Sequence, residues 1–294
     1  MQSAFYTRTG IGVIIALALL ACRPGEPTDP ALKDQAAPAA RPNAPAPSLS
    51  LESIAGPWRI VTIDNAPPAA LPGAVSRERT PRLHFTPAGY GGTAGCNYFG
   101  GLGLLEGDRY YAAPGGQTAM GCGDLTAQEM VVTGIFWSAP RVALGADGTL
   151  SLKGDKHSVE LRRDPTLPGE DSPPASAAPP LRLAGSAWII RTVDGKLVEG
   201  PSDAGRRTLR LEAASWSGTA ACATLGGEWR QQLDRLILSG PISTTEQKCP
   251  PEAAEMDSRL AALLSANPRF ITGPNGEILI AGGGHWLIGD RMVR

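Results

Sequence analysis

"GGTAGCNYFGG" (Gly91–Gly101) sets a single cysteine among glycines and aromatic residues. The sulfur of Cys96 could be a nucleophile, a metal ligand, half of a disulfide or a small core group. The pattern returns in the second half of the chain. There, Thr219-Ala220-Ala221-Cys222 and Gly226-Gly227 repeat Thr93-Ala94-Gly95-Cys96 and Gly100-Gly101. A motif that recurs with its spacing intact indicates two copies of one domain.

Other residues match between the two halves in the same order. The matched sets are Trp58/Trp188, Ile60/Ile190, Glu129-Met130/Glu255-Met256, Pro140-Arg141/Pro268-Arg269 and His157/His285. Such agreement is hard to obtain by chance, so we interpret the chain as a tandem duplication. We expect one domain over residues 51–163 and a second, divergent one over residues 182–294. Each is long enough for one small core.

The repeat also organises the cysteines, of which the chain has five. Cys96 precedes Cys122 as Cys222 precedes Cys249, and no CxxC or Cys/His cluster of the kind that binds zinc accompanies them. In an oxidising compartment, cysteines paired at a repeated spacing predict disulfides. Closing a loop of this length stabilises a domain by about 3.5 kcal/mol in the chain-entropy model. We therefore predict two disulfides and no metal site.

Residues 1–21 are typical of a bacterial export signal. Arg8 precedes an apolar run from Ile11 to Ala21, which has the length of a signal-peptide core and is short for a membrane span. The run ends in Leu19-Leu20-Ala21-Cys22, which resembles a lipobox. It predicts cleavage after residue 21 and lipidation of Cys22. An anchor of two or more acyl chains is effectively permanent.

Two segments contain almost none of the large apolar residues that a core requires. Residues 22–50 predict a tether, rich in proline and alanine, behind the lipidated cysteine, and residues 164–181 predict a proline-rich linker between the domains. Arg23 is not the aspartate that signals inner-membrane retention in many lipoproteins. We therefore expect a cell-envelope protein on the outer membrane, facing the periplasm.

Alternating apolar and polar residues predict strands in both copies, as in PWRIVTI at 57–63 and TLSLKG at 149–154. Asp147-Gly148 and Asn275-Gly276 predict hairpin turns. AGGGHW, at 281–286, also predicts a hairpin, because a phosphate-binding loop would need a helix after the glycines.

One helix is expected after the second cysteine of each copy. In the second copy Pro250-Pro251 opens it, and Met256, Leu260 and Leu263 form an apolar stripe. In the first copy it covers about residues 125–138, with Met130 and Trp137 facing inward. The predicted fold is mainly β (α+β): two small antiparallel β-barrel-like domains, each with one packed helix.

These residues resemble a known family. GCNYFGG, TAMGC at Thr118–Cys122, Glu129 and LSLKGDKHSVEL are similar to the META domain, also called the HslJ-like domain of bacterial heat-shock proteins. The resemblance covers most of residues 51–163. It implies a compact, β-rich barrel with one helix, often found in envelope lipoproteins. No catalytic activity is established for the family, so the resemblance assigns no catalytic residue. The second copy departs from the motif around Cys222 and Cys249 but keeps both cysteines.

Charge excludes one class of partner. The net charge is −1 and the basic residues are scattered, so we expect no nucleic-acid binding. We also expect no cofactor and no catalytic residue. Structural or ligand-contacting roles are assigned to Asn97, to His157 and His285 at the starts of strands, and to Glu129 and Glu255 at equivalent places near the helix starts.

A thiol enzyme is an alternative, because Cys96 with His157 and Cys222 with His285 could form thiolate nucleophiles. A disulfide removes that nucleophile, and we identify no third residue that orients the histidine in both copies. Among the tryptophans, Trp58 and Trp188 are expected in the cores. Trp216, Trp229 and Trp286 have no aromatic counterpart in the first copy, and an aromatic contact surface is an alternative to core packing for them.

The sequence therefore favours a non-catalytic, lipid-anchored envelope protein that binds an envelope protein partner, acts as a scaffold or serves in the response to envelope stress. One alternative is a carrier that holds a small apolar ligand in a barrel cavity. Another is a thiol-dependent hydrolase. A filled barrel core favours the scaffold over the carrier.

Overall fold

The computed structural model describes residues 49–69, 79–167, 182–198, 207–245 and 247–292. The predicted signal peptide, the lipidation site Cys22 and nearly all of the tether lie outside these residues, as do residues 168–181 of the predicted linker. Within the described residues, no helix has the length and apolar character needed to cross a membrane.

The first barrel closes from eight antiparallel strands in chain order, and its last strand pairs with its first. The strands are β1 (Gly56–Ile63), β2 (Arg82–Thr86), β3 (Gly89–Thr93), β4 (Tyr98–Glu106), β5 (Arg109–Gln117), β6 (Arg141–Leu144), β7 (Thr149–Lys153) and β8 (Ser158–Arg163). Helix α1 (Leu51–Ile54) precedes β1. Helix α2 (Thr126–Gly134) lies between β5 and β6, with 3-10 turns at Gly123–Leu125 and Ile135–Ser138 on either side.

The second barrel repeats this order, and β17 closes onto β9. Its elements are β9 (Ser186–Val193), β10 (Lys196–Leu197), β11 (Thr208–Leu211), β12 (Ser215–Thr219), β13 (Leu225–Gln232), β14 (Arg235–Thr244), α3 (Pro251–Ser265), β15 (Arg269–Thr272), β16 (Glu277–Gly282) and β17 (His285–Arg291). The short strand β10 pairs with β9 alone. The predicted fold class is confirmed.

Strand alternation fills both barrels with side chains. Trp58 and Ile60 of β1 point into the first core, as Trp188 and Ile190 of β9 point into the second. Aromatic rings occupy much of the first interior: Tyr90 stacks on Phe136 with ring centroids 4.0 Å apart, and Tyr110 meets Phe136 edge-on at 6.0 Å. Closing each sheet on itself removes the exposed strand edges that short strands otherwise leave.

The inward face of the first helix differs from the prediction. Met130 and Trp137 are exposed, whereas Val132, Ile135 and Phe136 are buried in the core. The buried Glu129 and Phe136 keep the helical spacing of the prediction but each lies one residue earlier than Met130 and Trp137. The prediction therefore had the right period and the wrong phase. In α3 the predicted stripe is confirmed: Leu260 and Leu263 are buried, and Met256 packs against them at the edge of the core.

Trp216, Trp229 and Trp286 have separate roles. By strand register Trp216 occupies the position of Tyr90, so the prediction that it has no aromatic counterpart is wrong. Trp216 and Trp229 are buried in the second core, so they do not form a contact surface there. Trp286 lies on the outside of the second barrel, where it contacts Tyr111 of the first with ring centroids 5.6 Å apart.

The predicted hairpin turns are confirmed. Gly148 and Gly276 have φ of 79° and 86°, a left-handed conformation that glycine adopts without strain. Gly283 and Gly284 form the two-residue turn between β16 and β17, with Gly282 paired to His285.

The fold of the first barrel continues past its last strand. Arg59 Nε donates a 3.0 Å hydrogen bond to Asp164 Oδ2, and Leu167 is buried. These residues were predicted to begin the linker. Instead, they pack against the barrel, because Asp164 supplies a charged partner for a strand β1 arginine.

The two barrels touch through a third apolar group, here called the interbarrel cluster. Both belong to a single compact unit. The buried members of the interbarrel cluster are Leu102, Leu104, Tyr111, Ala113 and Ala139 from the first barrel and Leu279, Ala281 and Ile288 from the second. At its edge, Arg235 Nη2 lies 3.1 Å from Glu106 Oε1, and Arg269 Nη1 donates to Leu105 O at 3.1 Å.

Candidate functional site

The motif cysteine of each barrel lies in a loop between the third and fourth strands of the barrel, here called the cysteine loop. In the first barrel this loop covers residues 94–97, and Cys96 forms a disulfide with Cys122. In the second it covers residues 220–224, and Cys222 forms a disulfide with Cys249. The Cα–Cα distances are 5.8 and 5.9 Å, ordinary for disulfides. All four sulfurs are therefore held as predicted.

Asn97 ties the first cysteine loop to two other segments. It is 4 % exposed, and its Oδ1 accepts hydrogen bonds from Met120 N at 2.8 Å and Thr118 Oγ1 at 3.1 Å. Its Nδ2 donates to Glu129 Oε2 at 3.0 Å and to Met120 O at 3.2 Å. The amide thus joins the cysteine loop, residues 118–120 and helix α2. Because Oδ1 and Nδ2 both hydrogen-bond within the protein, Asn97 has a structural role.

Glu129 is the buried carboxylate of this cluster. It lies 5 % exposed on α2 and accepts from the backbone N–H and the side-chain amide of Asn97. A buried charge is tolerated when hydrogen bonds replace its water. The carboxylate therefore locks the helix to the cysteine loop.

The second barrel achieves the same link with Asp257, which the sequence comparison missed. Its two oxygens accept from four consecutive backbone N–H groups, those of Ala220, Ala221, Cys222 and Ala223, at 2.7–3.2 Å. Glu255, predicted to be equivalent to Glu129, is exposed and pairs with Arg259, which lowers the pKa of Glu255. That predicted equivalence is wrong.

Glu129 and Glu255 are not equivalent because the two helices differ in phase relative to their cysteine loops. The second copy separates its cysteines by 27 residues against 26, and α3 begins two residues after Cys249. This turns a different helical position toward the loop. The signal that could have found Asp257 is an acidic residue in line with the apolar stripe of Leu260 and Leu264.

Each predicted histidine is held by an aspartate. His157 Nδ1 lies 2.7 Å from Asp64 Oδ2, and His285 Nδ1 lies 2.8 Å from Asp194 Oδ2. Both aspartates follow the first strand of their barrel with φ of 51°. The sequence analysis found no such third residue. The repeat could have identified these two aspartates, since Asp64 and Asp194 directly follow the equivalent strands β1 and β9.

These aspartates also fasten the closing strand of each barrel. Asp64 Oδ1 accepts from Ser158 N at 2.8 Å, and Asp64 N donates to Ser158 O at 2.9 Å. Asp194 exchanges the same two bonds with Trp286. The backbone hydrogen bond from Ser158, and then His157, lowers the pKa of Asp64. The aspartate–histidine pair is thus part of barrel closure.

The described residues bring the donor atoms of Cys96, Cys122 and Glu129 within 4.8 Å of one another. Metal ions bind the thiolate form of cysteine, and here both sulfurs are spent in a disulfide. The carboxylate is occupied by Asn97. This group does not suit a metal ion.

The fold and these links define a class: a tandem of small antiparallel barrels, each with a disulfide-bonded cysteine loop locked to one helix by a buried carboxylate. The chain belongs to the META domain family, whose family model matches residues 50–166 and 181–286. The two tandem copies inferred from the sequence are confirmed. No curated protein matches the chain.

Similarity to solved structures is low. An NMR structure of a protein from Burkholderia xenovorans is 21 % identical, covering 44 % of this chain and 100 % of that one, with a TM-score of 0.32. The DNA polymerase III subunit beta from Pseudomonas aeruginosa is 12 % identical, covering 83 % of this chain and 59 % of that one, with a TM-score of 0.18. Neither overlap supports an argument about this chain.

Proposed function

We propose that this chain is a non-catalytic envelope lipoprotein that binds an envelope protein partner through the outer surface of its barrels. In this proposal Cys22 carries the lipid anchor in the outer membrane, and the tether holds the barrels in the periplasm. The observation that carries the proposal is the filled interior of both barrels, which leaves the outer surface for recognition. Resemblance to heat-shock protein domains supports a role under envelope stress.

The filled interiors also weigh against the carrier. A small-molecule site is a cleft or cavity of about 300–1,000 Å³. The centre of the first barrel instead holds Trp58, Tyr90, Tyr110 and Phe136 in mutual contact with the aliphatic core. An apolar ligand could enter only by displacing these side chains, and repacking a well-packed core costs about 1–3 kcal/mol or more.

The disulfides weigh against the thiol hydrolase. A histidine oriented by an aspartate is present in each barrel, but the cysteines have no thiolate to activate. Titration of unreduced mature protein with a thiol reagent tests this directly. We expect no reaction at Cys96, Cys122, Cys222 or Cys249. A stoichiometric free thiol at any of them would revive the enzyme hypothesis.

The recognition surface that we propose lies beside the first disulfide. Met120 precedes Cys122 by two residues, Met130 follows the buried Glu129, and these two methionines are 44 % and 69 % exposed. Flexible, polarisable methionines on a surface suit contact with a protein partner. The hydrogen bonds of Asn97 and Glu129 hold the backbone under both in one arrangement.

Cross-linking of the acylated protein in its native envelope tests this function. Wild type should capture a defined protein that is lost when Met120→Lys and Met130→Lys are combined. Leu197→Lys is the matched control, because Leu197 is also apolar and exposed but lies on the second barrel. Equal capture by all variants would rule out this surface. No defined partner for wild type would count against the binding role itself.

A further inference from the structure

The interbarrel cluster joins two different faces of the repeated fold. The first barrel contributes the outer face of β4 and β5, and the second contributes the outer face of β16 and β17, with Ile271 of β15 beside it. By element order, β4–β5 correspond to β13–β14 of the second barrel, and β15–β17 correspond to β6–β8 of the first. The contact is therefore heterologous. Identical modules joined in this way would keep adding to one another, as an open stack or until a ring closed.

The face of the first barrel that would continue the stack is polar. The β16–β17 hairpin pairs Leu279 with Ile288 and Ala281 with Trp286. At the same positions the β7–β8 hairpin pairs Ser151 with Glu160 and Lys153 with Ser158. Four apolar contact residues of this face, Leu279, Ala281, Trp286 and Ile288, thus have polar counterparts in the first barrel. Ile271 of β15 is the exception, because it corresponds to the small Ala143.

The outer face of β13 and β14, which would continue the stack from the second barrel, also carries polar residues. In the first barrel, β4 and β5 pair Leu102 with Ala113 and Leu104 with Tyr111. At the equivalent positions β13 and β14 pair Glu228 with Ser239 and Arg230 with Ile237. Glu228 and Arg230 are exposed. Burying an unpaired charge against an apolar face is strongly unfavourable.

Repeated arginines show how the contact was specialised. Arg109 and Arg235 each donate through Nη1 to a backbone carbonyl at the helix end, Ala139 O and Asn267 O. Arg235 uses its Nη2 for Glu106 across the contact. Glu106 has Gln232 at its equivalent place in the second barrel, so this ion pair can form in one direction only.

We propose that META domains of this chain carry a head-to-tail docking surface, and that polar substitutions on the two outer faces end the stack at two domains. The apolar β4–β5 face takes as its partner the β15–β17 face of a second META domain. The second domain therefore serves to cover and terminate the first. This inference does not depend on the envelope partner proposed above.

Transferring the covered faces onto the outer ones tests the proposal. The first variant carries Ser151→Leu, Lys153→Ala, Ser158→Trp and Glu160→Ile, and the second carries Glu228→Leu, Arg230→Leu, Ile237→Tyr and Ser239→Ala. A third combines both sets. All are compared with wild type by sedimentation velocity, in the full mature chain with Cys22→Ser so that acyl chains cannot cause association.

Wild type and each single-face variant should sediment as monomers, because a stack needs both complementary faces. The combined variant should associate with concentration and at least double the weight-average mass. Association of wild type, comparable association of a single-face variant, or a folded combined variant that stays monomeric would each overturn the proposal. Absence of free thiols and a native near-ultraviolet circular dichroism spectrum serve as the folding control.

A second experiment stands if the combined variant does not fold. A protease site between Leu167 and Arg182 allows the folded chain to be cut between its barrels. The halves of the parent should stay together in gel filtration, whereas Leu279→Ser with Ile288→Glu, which copies the polar face of the first barrel, should release them. Halves that separate in both proteins, or in neither, would contradict a specific docking surface.

Discussion

At the residue scale, a buried carboxylate joins the helix to the cysteine loop in each barrel, in addition to the disulfide formed by the motif cysteine. Glu129 and Asp257 each lock a helix to a cysteine loop, although they differ in length and in helical position. The duplication has kept the link and changed the residue that makes it. A carboxylate can be exchanged in this way because only its oxygens must reach the loop N–H groups.

Replacing Asp257 by alanine should reveal this link. The substitution leaves four backbone N–H groups without their acceptor, and we expect the free energy of unfolding to fall by about 3 kcal/mol. Urea denaturation provides the measurement. Glu255→Ala is the control, with a much smaller expected change, because its ion pair is exposed. A larger loss in the control would restore the equivalence of Glu129 and Glu255.

Asp164 predicts a pH dependence. Hydrogen bonds from Thr166 and Arg59 lower its pKa from 3.8 to about 2 in the folded protein. A depressed folded pKa contributes stability above the unfolded pKa, and this contribution is lost as pH falls through the folded one. Asp164→Asn should therefore flatten the decline of unfolding free energy between about pH 4 and pH 2. Asp155→Asn, in an exposed turn, should keep the wild-type slope, and parallel curves for all three proteins would refute the assignment.

At the scale of the element, the residue types of strand β4 reflect what each of its two faces packs against. Leu105 faces the first core, while Leu102 and Leu104 face the second barrel, so most of the strand is buried on both faces. Gly103 leaves room inside the barrel for the Tyr110 ring. Continuous apolar sequence of this kind indicates a strand covered on both sides.

A side chain at residue 103 should therefore be costly. A Cβ there would overlap the hydroxyl and ring of the fully buried Tyr110, and Gly103→Ala should destabilise the protein by about 2–3 kcal/mol. Gly116→Ala, at the exposed end of strand β5 with no atom within 4 Å of the added carbon, should change stability little. Thermal unfolding of both variants compares them. Equal midpoints would mean that the Tyr110 side chain can adopt another conformation without loss of stability.

The helices show where element prediction succeeded and failed. The stripe of α3 follows 3.6 residues per turn, and Leu260 and Leu263 were identified correctly. The prediction for α2 failed by one position, because Glu129 and Phe136 are buried whereas Met130 and Trp137 are exposed. Apolar residues lie around most of this short segment, so its pattern alone did not show which face packs against the barrel.

At the scale of the whole molecule, the interbarrel cluster couples two domains that could have been independent. Leu279 is fully buried at its centre, and Leu279→Ser should lower stability by about 3 kcal/mol and split unfolding into two transitions. Scanning calorimetry of the intact chain measures both effects. Ser151→Ala, at the equivalent place on the first barrel, should leave one transition at the wild-type temperature. A single transition in Leu279→Ser would argue against coupling through this cluster.

The amino-acid sequence by itself determined the duplication, the strand-rich barrels, the helix positions and the pairing of the cysteines, because periodicity and spacing are local properties of a chain. Only the tertiary structure decided which acidic residue reaches each cysteine loop, which aspartates hold the histidines, and that one barrel face is covered by the other domain. Those choices join residues far apart in sequence. They depend on the phase of a helix, the closure of a barrel and the contact between two surfaces, none of which a local pattern encodes.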